Sequence, residues 1–237
     1  MAQEAAKKAG DYLKSISGSE IKIKKRLNRD IKLMADIESE SLIIDFLQKK
    51  SNFSILSEES GLVINTKSIN SNCKWIVDPL DGSNNFIKKI DKCCVSIALW
   101  ENSNPIIGVI FDFNRNELFS GLVSDGAWLN GKSIHTKNVK KNSDMILATG
   151  FPVSMDFTKE SFSSLFETYK THKKIRMIGS AALSLAYVAC NRFDKYYEEN
   201  IKIWDVAAGI SILKAAGGNI KYKGYPKSNL VSVIGQG

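Results

Sequence analysis

WIVDPLDGSNNF, residues 75–86, runs from an apolar segment into two carboxylates and a glycine. Trp75, Ile76 and Val77 read as a buried strand. Asp78 closes it, Asp81 follows three residues later, and Gly82 gives a tight turn into a helix near Ser83, aiming backbone N–H groups at an anion. Two carboxylates this close repel each other, and neither has a basic neighbour. Either the stretch is an ordinary acidic turn or a cation sits between the two side chains.

Acids recur at comparable places on both sides. Glu58 and Glu59 follow the strand-like FSIL (53–56), and Asp205 follows Trp204 at the head of the helix-like DVAAGISILKAAGG (205–218). Strand ends and helix starts bring side chains to one edge of a sheet. Each acid alone has a plain explanation: aspartate is common in turns, Asp36 and Asp205 stand where helix caps stand, and a Glu-Glu pair is usually solvated. Their combination is different, because three acidic sites on one edge repel strongly without a cation. Hard oxygen donors of this kind suit Mg2+, with Mn2+ as a substitute. Two such ions ~3.5–4 Å apart can activate a water and stabilise the leaving oxygen of a phosphate ester. The Ser83 hydroxyl is placed to orient that water. A competing class uses an aspartate nucleophile, with an apolar strand followed by D-x-D-G-[TS]. The spacing D-x-x-D-G-S is one residue longer and turns the second carboxylate away from the direction an acid partner needs.

Along the chain, residues 1–16 read as a helix with Ala2, Ala5, Ala6, Ala9, Leu13 and Ile16 along one side, and IKIKKR (21–26) alternates like a strand. A helix is expected from about Ile37 to Lys50, with Asp36 at its N-cap. Strand-like runs at 53–56, 74–77, 93–100, 105–113 and 116–123, joined by short turns, argue for an antiparallel sheet. From about Met145 strands alternate with helices: MILATG before 157–170, KIRMI before 181–191, and DKYYEE before 204–218, which Gly217 and Gly218 terminate. A boundary is placed near 145. Residues 1–145 form an N-terminal α+β part with the antiparallel sheet and most of the acids. Residues 146–237 form a C-terminal α/β part carrying Asp205.

Other chemistries are disfavoured. His135 and His172 have no triad setting, and no G-x-S-x-G is present. GAWLNGKS (126–133) matches the phosphate-loop pattern, but Asn130-Gly131 signals a tight hairpin and no helix opening follows. Cys73, Cys93, Cys94 and Cys190 fit neither a zinc site nor a disulfide framework, and adjacent Cys93 and Cys94 should point to opposite faces of a strand. The chain of 237 residues is 43% hydrophobic and 24% charged, ordinary for a globular protein. No apolar run approaches the ~18 residues of a membrane span, and the N-terminus lacks a signal-type apolar core. The net charge of +8 comes from scattered lysines without interleaved aromatics. It reads as a solvated surface, with no nucleic-acid partner, no membrane partner and a cytoplasmic location expected.

WIVDPLDGSNNF, with SEES (57–60) upstream and WDVAAGISILKAAGG (204–218) downstream, resembles the inositol monophosphatase superfamily. The family's signatures run approximately W-[IV]-[IV]-D-P-[IL]-D-G-[ST]-x-N-F and W-D-x-A-A-x-x-x-[IL]-x-x-x-A-G-G. Both are matched almost completely and in order, and the similarity extends from about Ala5 to Val233. GSAALSLAYVACNRFDKYYE (179–198) is similar to the family's sugar-side segment in its archaeal-type members, which often hydrolyse both inositol monophosphate and fructose 1,6-bisphosphate.

The resemblance implies an α/β fold, the five-layer α/β/α/β/α sandwich. It implies two to three Mg2+: the first on Glu58, Asp78 and the Leu80 carbonyl, the second on Asp78, Asp81 and Asp205, and a weaker third leaning on Glu58 and waters. It pairs Ser83 with Asp36 to activate the attacking water, gives the phosphate to the Gly82 and Ser83 amides, and puts Asp81, Arg176, the Ala181 backbone and Glu198 near the substrate. Residues 21–31 match a mobile, substrate-covering loop. Two features depart from the pattern. Archaeal-type members often carry a basic residue near Asn200, where Lys202 is the nearest here, and family members usually continue past Val233 with a final helix whereas this sequence stops at Gly237. The implied function is a Mg2+-dependent phosphomonoesterase acting on a small phosphorylated polyol or sugar, inositol monophosphate and/or fructose 1,6-bisphosphate. The implied mechanism is in-line attack without a phosphoenzyme, in a homodimer. The alternatives are a nucleotide phosphatase of the same superfamily, acting on 3′-phosphoadenosine phosphates or NADP, and a non-catalytic binder of phospho-ligands or nucleic acid.

Overall fold

The computed structural model describes the chain outside residues 19–22, 28–29, 68–70, 138–140 and 152–154, and outside the side chains of 23–27, 30–32 and 164. The order is α1 (Ala2–Ile16), β1 (Ile23–Leu27), β2 (Asp30–Leu33), α2 (Met34–Lys50), β3 (Ser54–Ser57), β4 (Gly61–Val63), β5 (Cys73–Asp81), α3 (Ser83–Ile87), β6 (Cys94–Glu101), β7 (Asn104–Asp112), β8 (Glu117–Leu122), β9 (Gly126–Leu129) and β10 (Lys132–Ile134). It continues with β11 (Ile146–Thr149), α4 (Lys159–Tyr169), β12 (Lys174–Arg176), α5 (Ala181–Ala189), β13 (Lys195–Lys202), α6 (Ile203–Ala215), β14 (Asn219–Lys223) and β15 (Leu230–Gln236).

Two large sheets result. One has eight strands in the order β10-β9-β8-β7-β6-β5-β3-β4, and the other five in the order β12-β11-β13-β15-β14. From β5 to β10 the first is the expected antiparallel meander. The exception is β3, which pairs with β5 in parallel. Period-two alternation gives the eight-stranded sheet two apolar faces. Trp75, Val77, Val95, Ile97 and Leu99 join Ala5, Ala9 and Leu13 of α1 and Ile43 and Leu47 of α2 in one core. Ile76, Cys94, Ala98 and Trp100 join α5, α6 and the five-stranded sheet in the other. Cys93 and Cys94 accordingly fall in different cores, and all four cysteines are free.

The layers follow. α1 and α2 cover one face of the large sheet, and α5 and α6 lie between the sheets. In the five-stranded sheet β11 pairs in parallel with both β12 and β13. The chain crosses outward through α4 and back through α5, so right-handed crossovers put those helices on opposite faces. The Tyr169 hydroxyl of α4 meets Thr149 Oγ1 of β11 at 3.0 Å, tying the fifth layer down. α6 can lie flat on β7 because residue 108 is glycine: a Cβ there would stand 2.2 Å from the Ala208 carbonyl oxygen.

Three expectations change. α2 begins at Met34, so Asp36 is not its cap; Asp36 sits in the first turn and its Oδ2 accepts the Leu33 N–H at 2.8 Å. Asp205 likewise lies within the first turn of α6, behind Lys202 at the N-cap. β14 and β15 follow α6 where no strand was expected, and β15 is an interior strand, between β13 and β14. The hairpin reading of 126–133 holds, with Asn130 and Gly131 both at positive φ (49° and 77°) between β9 and β10. Of the segment 21–31, residues 21, 22, 28 and 29 lie outside the described residues; β1 and β2 pair antiparallel.

Candidate active site

The parallel pairing of β3 with β5 brings the first acids together. Ser57 stands opposite Val77, and the Glu58 N–H donates to the Val77 carbonyl at 3.2 Å. Glu58 and Asp78 therefore leave the same sheet edge side by side. The next step depends on a bulge. Asp78 is opposite Ser96 and Asp81 opposite Cys94, so three steps on β5 match two on β6. In a regular strand residues three apart face opposite ways. The extra residue cancels that, and both aspartates emerge toward the inner layer. α6 approaches there from the other side and brings Asp205.

Glu58, Asp78 and Asp205 each place a carboxylate oxygen within 4.8 Å of the others. They line a cavity of about 560 Å³ together with Leu80, Asp81, Gly82, Ser83, Ala181, Glu198, Lys202 and Phe151. Asp78 is fully buried. Burial first, then Glu58, Asp81 and Asp205, push its carboxyl well above the usual range, against one Leu80 N–H at 3.0 Å that favours the charge. Burial also pushes Asp81 up, to about 6, and here the opposing hydrogen bonds are stronger. Ser180 Oγ and the Ala182 N–H (2.8 Å) both donate to its Oδ2 at the start of α5. A close-packed set of hard oxygen donors that disfavours its own ionisation fits a divalent cation.

The expected Ser83–Asp36 pair is present. Ser83 Oγ lies 3.2 Å from Asp36 Oδ1 and 2.9 Å from the Leu80 carbonyl, so its one proton chooses between them. Gly82 takes φ +90° between Asp81 and α3, and a Cβ there would stand 2.7 Å from the Lys92 carbonyl. On the opposite wall Glu198 accepts from the Tyr196 hydroxyl at 2.9 Å, and burial raises its carboxyl to about 7. Arg176 is not brought in. It is exposed on edge strand β12, donates to the neighbouring Ile175 carbonyl and does not line the cavity. Ser180 was missed by sequence reasoning, although its position before an apolar helix marks it as an N-cap, which it is. Ser39 and Glu40 of α2 were also missed.

The comparisons with known proteins give the family and the fold. Residues 1–225 match the model of the inositol monophosphatase family. A Nus factor SuhB from Xylella fastidiosa is 38% identical over 221 residues, covering 92% of this chain and 78% of that protein. The crystal structure of the extragenic suppressor protein suhB of Bartonella henselae superposes with a TM-score of 0.86 at 32% identity, covering 98% of this chain and 91% of that one. The inositol monophosphatase of Anabaena (Nostoc) sp. PCC 7120 gives a TM-score of 0.83 at 32% identity, covering 99% and 88%. This chain belongs to the inositol monophosphatase family.

Proposed function

We propose that the protein is a Mg2+-dependent phosphomonoesterase of small phosphorylated polyols or sugars, with inositol monophosphate and fructose 1,6-bisphosphate as the substrates to test first. The observation that carries this reading is the convergence of Glu58, Asp78 and Asp205 within 4.8 Å on the wall of a cavity. Glu58, Asp78 and the Leu80 carbonyl would hold one ion, and Asp78, Asp81 and Asp205 another. Bound there, the ions supply positive charge to the phosphate and lower the pKa of water. With the Ser83 hydroxyl donating to Asp36 Oδ1, the Ser83 oxygen is free to accept from the attacking water and the Leu80 carbonyl oxygen is left free to ligate a cation. Gly82 and Ser83 line the cavity beside the acids, where their amides would take the phosphate. Ala181 and Glu198 would meet the substrate's hydroxyls, and Arg176 stands aside in the single chain.

Lys202 on the cavity wall supports a second anionic group on the substrate, as in a bisphosphate. Phe151, packed against Phe157 and Phe162 at ring distances of 5.6 and 5.9 Å, offers a surface on which a base could stack, which favours the nucleotide alternative. A binding role of the kind named for the Nus factor relatives is the second reading, supported by that likeness and the net charge of +8. We further propose a homodimer that covers the exposed Phe162 and Phe166, and, from the free cysteines, a reducing cytoplasm. Among the described residues no helix is long and apolar enough to cross a membrane.

The test is a panel of esters (inositol 1-phosphate, fructose 1,6-bisphosphate, NADP, adenosine 3′,5′-bisphosphate), each with Mg2+ and with EDTA. Turnover should need Mg2+ and vanish in Asp78→Asn and Asp205→Asn. Near-normal Mg2+-dependent turnover by either variant overturns the assignment. Salt-sensitive binding to nucleic acid without turnover of any ester would favour the second reading.

A further inference from the structure

Helix α2 carries three buried polar side chains, Asp36, Ser39 and Glu40, at 3%, 0% and 3% exposure. Their spacing of i, i+3 and i+4 puts them on one face. Burying two carboxylates and a hydroxyl is costly unless each is hydrogen-bonded. Each is bonded, and each reaches a different piece of the acidic centre.

Asp36 accepts from Ser83, as above. Ser39 Oγ donates to the Pro79 carbonyl at 2.9 Å. Pro79 lies in the bulge between Asp78 and Asp81, where residues 79 and 80 drop out of the ladder register. Ser39 thus holds the stretch of backbone that turns both aspartates to one side. Glu40 Oε1 accepts the Glu59 and Ser60 N–H groups, each at 3.1 Å, and its Oε2 accepts from the Ser60 hydroxyl. Those groups form the turn that leaves β3 directly after Glu58. One helix face therefore grips the turn behind Glu58, the bulge between Asp78 and Asp81, and Ser83.

We propose that Ser39 and Glu40 are positioning residues that set the spacing of Glu58, Asp78 and Asp81 for a divalent cation. This rests on reading the centre as a cation site. Neither residue lines the cavity, so both act through the backbone they hold. Loss of partners that orient metal ligands typically weakens metal binding 10–100-fold. Because Ser39 and Glu40 act one residue further back, the expected loss is about tenfold.

The experiment titrates Mn2+ into the full chain by calorimetry, without substrate, well below the melting temperature of every variant. Glu40→Ala and Ser39→Ala should each raise the Mn2+ dissociation constant about tenfold. Glu40→Gln, which keeps the shape and one acceptor oxygen, should fall between Glu40→Ala and wild type and covers the case that the alanine variant does not fold. Ile43→Ala removes a buried side chain from the same helix without touching the site; it should lower the melting temperature and leave Mn2+ affinity alone. In turnover, Glu40→Gln should need more Mg2+ for half-activation yet approach the wild-type kcat at saturation. Wild-type affinity in the Ser39 and Glu40 variants, or an equal loss in Ile43→Ala, overturns the proposal. Failure of the wild type to bind Mn2+, or wild-type binding by Asp78→Asn, overturns the cation reading itself.

Discussion

Replacing Asp78 by asparagine should stabilise the metal-free protein while removing its response to Mg2+. Asp78 is 1% exposed, and its Oδ1 accepts the Leu80 N–H at 3.0 Å, a bond that asparagine can keep. What asparagine removes is charge. Two unit charges at the 4.8 Å limit of the Glu58, Asp78 and Asp205 cluster repel by about 3.5 kcal/mol at an effective dielectric near 20. A proton on Asp78 relieves part of this in the wild type, which leaves a gain of about 1–3 kcal/mol, or roughly 3–10 °C in Tm for a chain of this length. The sign with pH follows from the raised carboxyl. Between the unfolded and folded pKa values the native state holds more protons, so metal-free wild type loses stability as pH rises through that window. Asparagine does not titrate there, so its advantage should grow toward alkaline pH and vanish in acid. Excess Mg2+ offsets that gain, because saturation at a hundred times the dissociation constant adds about 2.7 kcal/mol to the wild type alone, close to the upper end of the range. Calorimetric melts of both proteins at about pH 5 and about pH 8, in EDTA and in Mg2+, give the four comparisons. A variant that melts below wild type in EDTA at both pH values, or that keeps the wild-type Mg2+ shift, would refute the picture of mutually repelling acids awaiting a cation.

Gly108→Ala puts a Cβ 2.2 Å from the Ala208 carbonyl and must push α6 off the sheet; a loss of about 3 kcal/mol in denaturant melts, with weaker Mn2+ binding through Asp205, is expected. Glu117 accepts both Arg192 guanidinium nitrogens at 2.6 Å, which ties β8 to the turn after α5 and lowers its carboxyl pKa. Its stabilisation is present above the unfolded pKa and lost as pH falls through the folded one, so Glu117→Gln should cost about 1 kcal/mol in neutral urea melts and nothing in acid. Lys202→Met should raise KM for fructose 1,6-bisphosphate about tenfold, or about 1.4 kcal/mol, in steady-state assays while leaving inositol 1-phosphate within about twofold.

The chemistry of the centre was more legible in the sequence than its geometry, for a physical reason. Trp75 to Ser83 announces a strand, two acids and a turn because each of those signals is local: an apolar run, charge, and a glycine that must take φ +90°. What makes the acids a site is not local. D-x-x-D spacing alone would send Asp78 and Asp81 to opposite faces, and only pairing with β6 reveals the bulge that reunites them. Glu58 reaches Asp78 because β3 runs parallel to β5 within a sheet whose short turns signalled antiparallel neighbours. The same limit explains α2. Asp36 was read as a cap because an acid before an apolar helix often is one. The helix instead starts at Met34, and that shift places Asp36, Ser39 and Glu40 together on the face that meets the site. β15 was overlooked although Val231 and Val233 are buried at the alternate positions of a strand. One neighbour, β14, lies just before it in the chain, but the other, β13, is separated from it by α6 and β14, so only the assembled sheet shows it to be an interior strand. Local signals thus identify which residues carry carboxylate oxygens at strand ends, while pairing register decides whether those oxygens come together. Ser39 and Glu40 matter because they are where α2 grips that register.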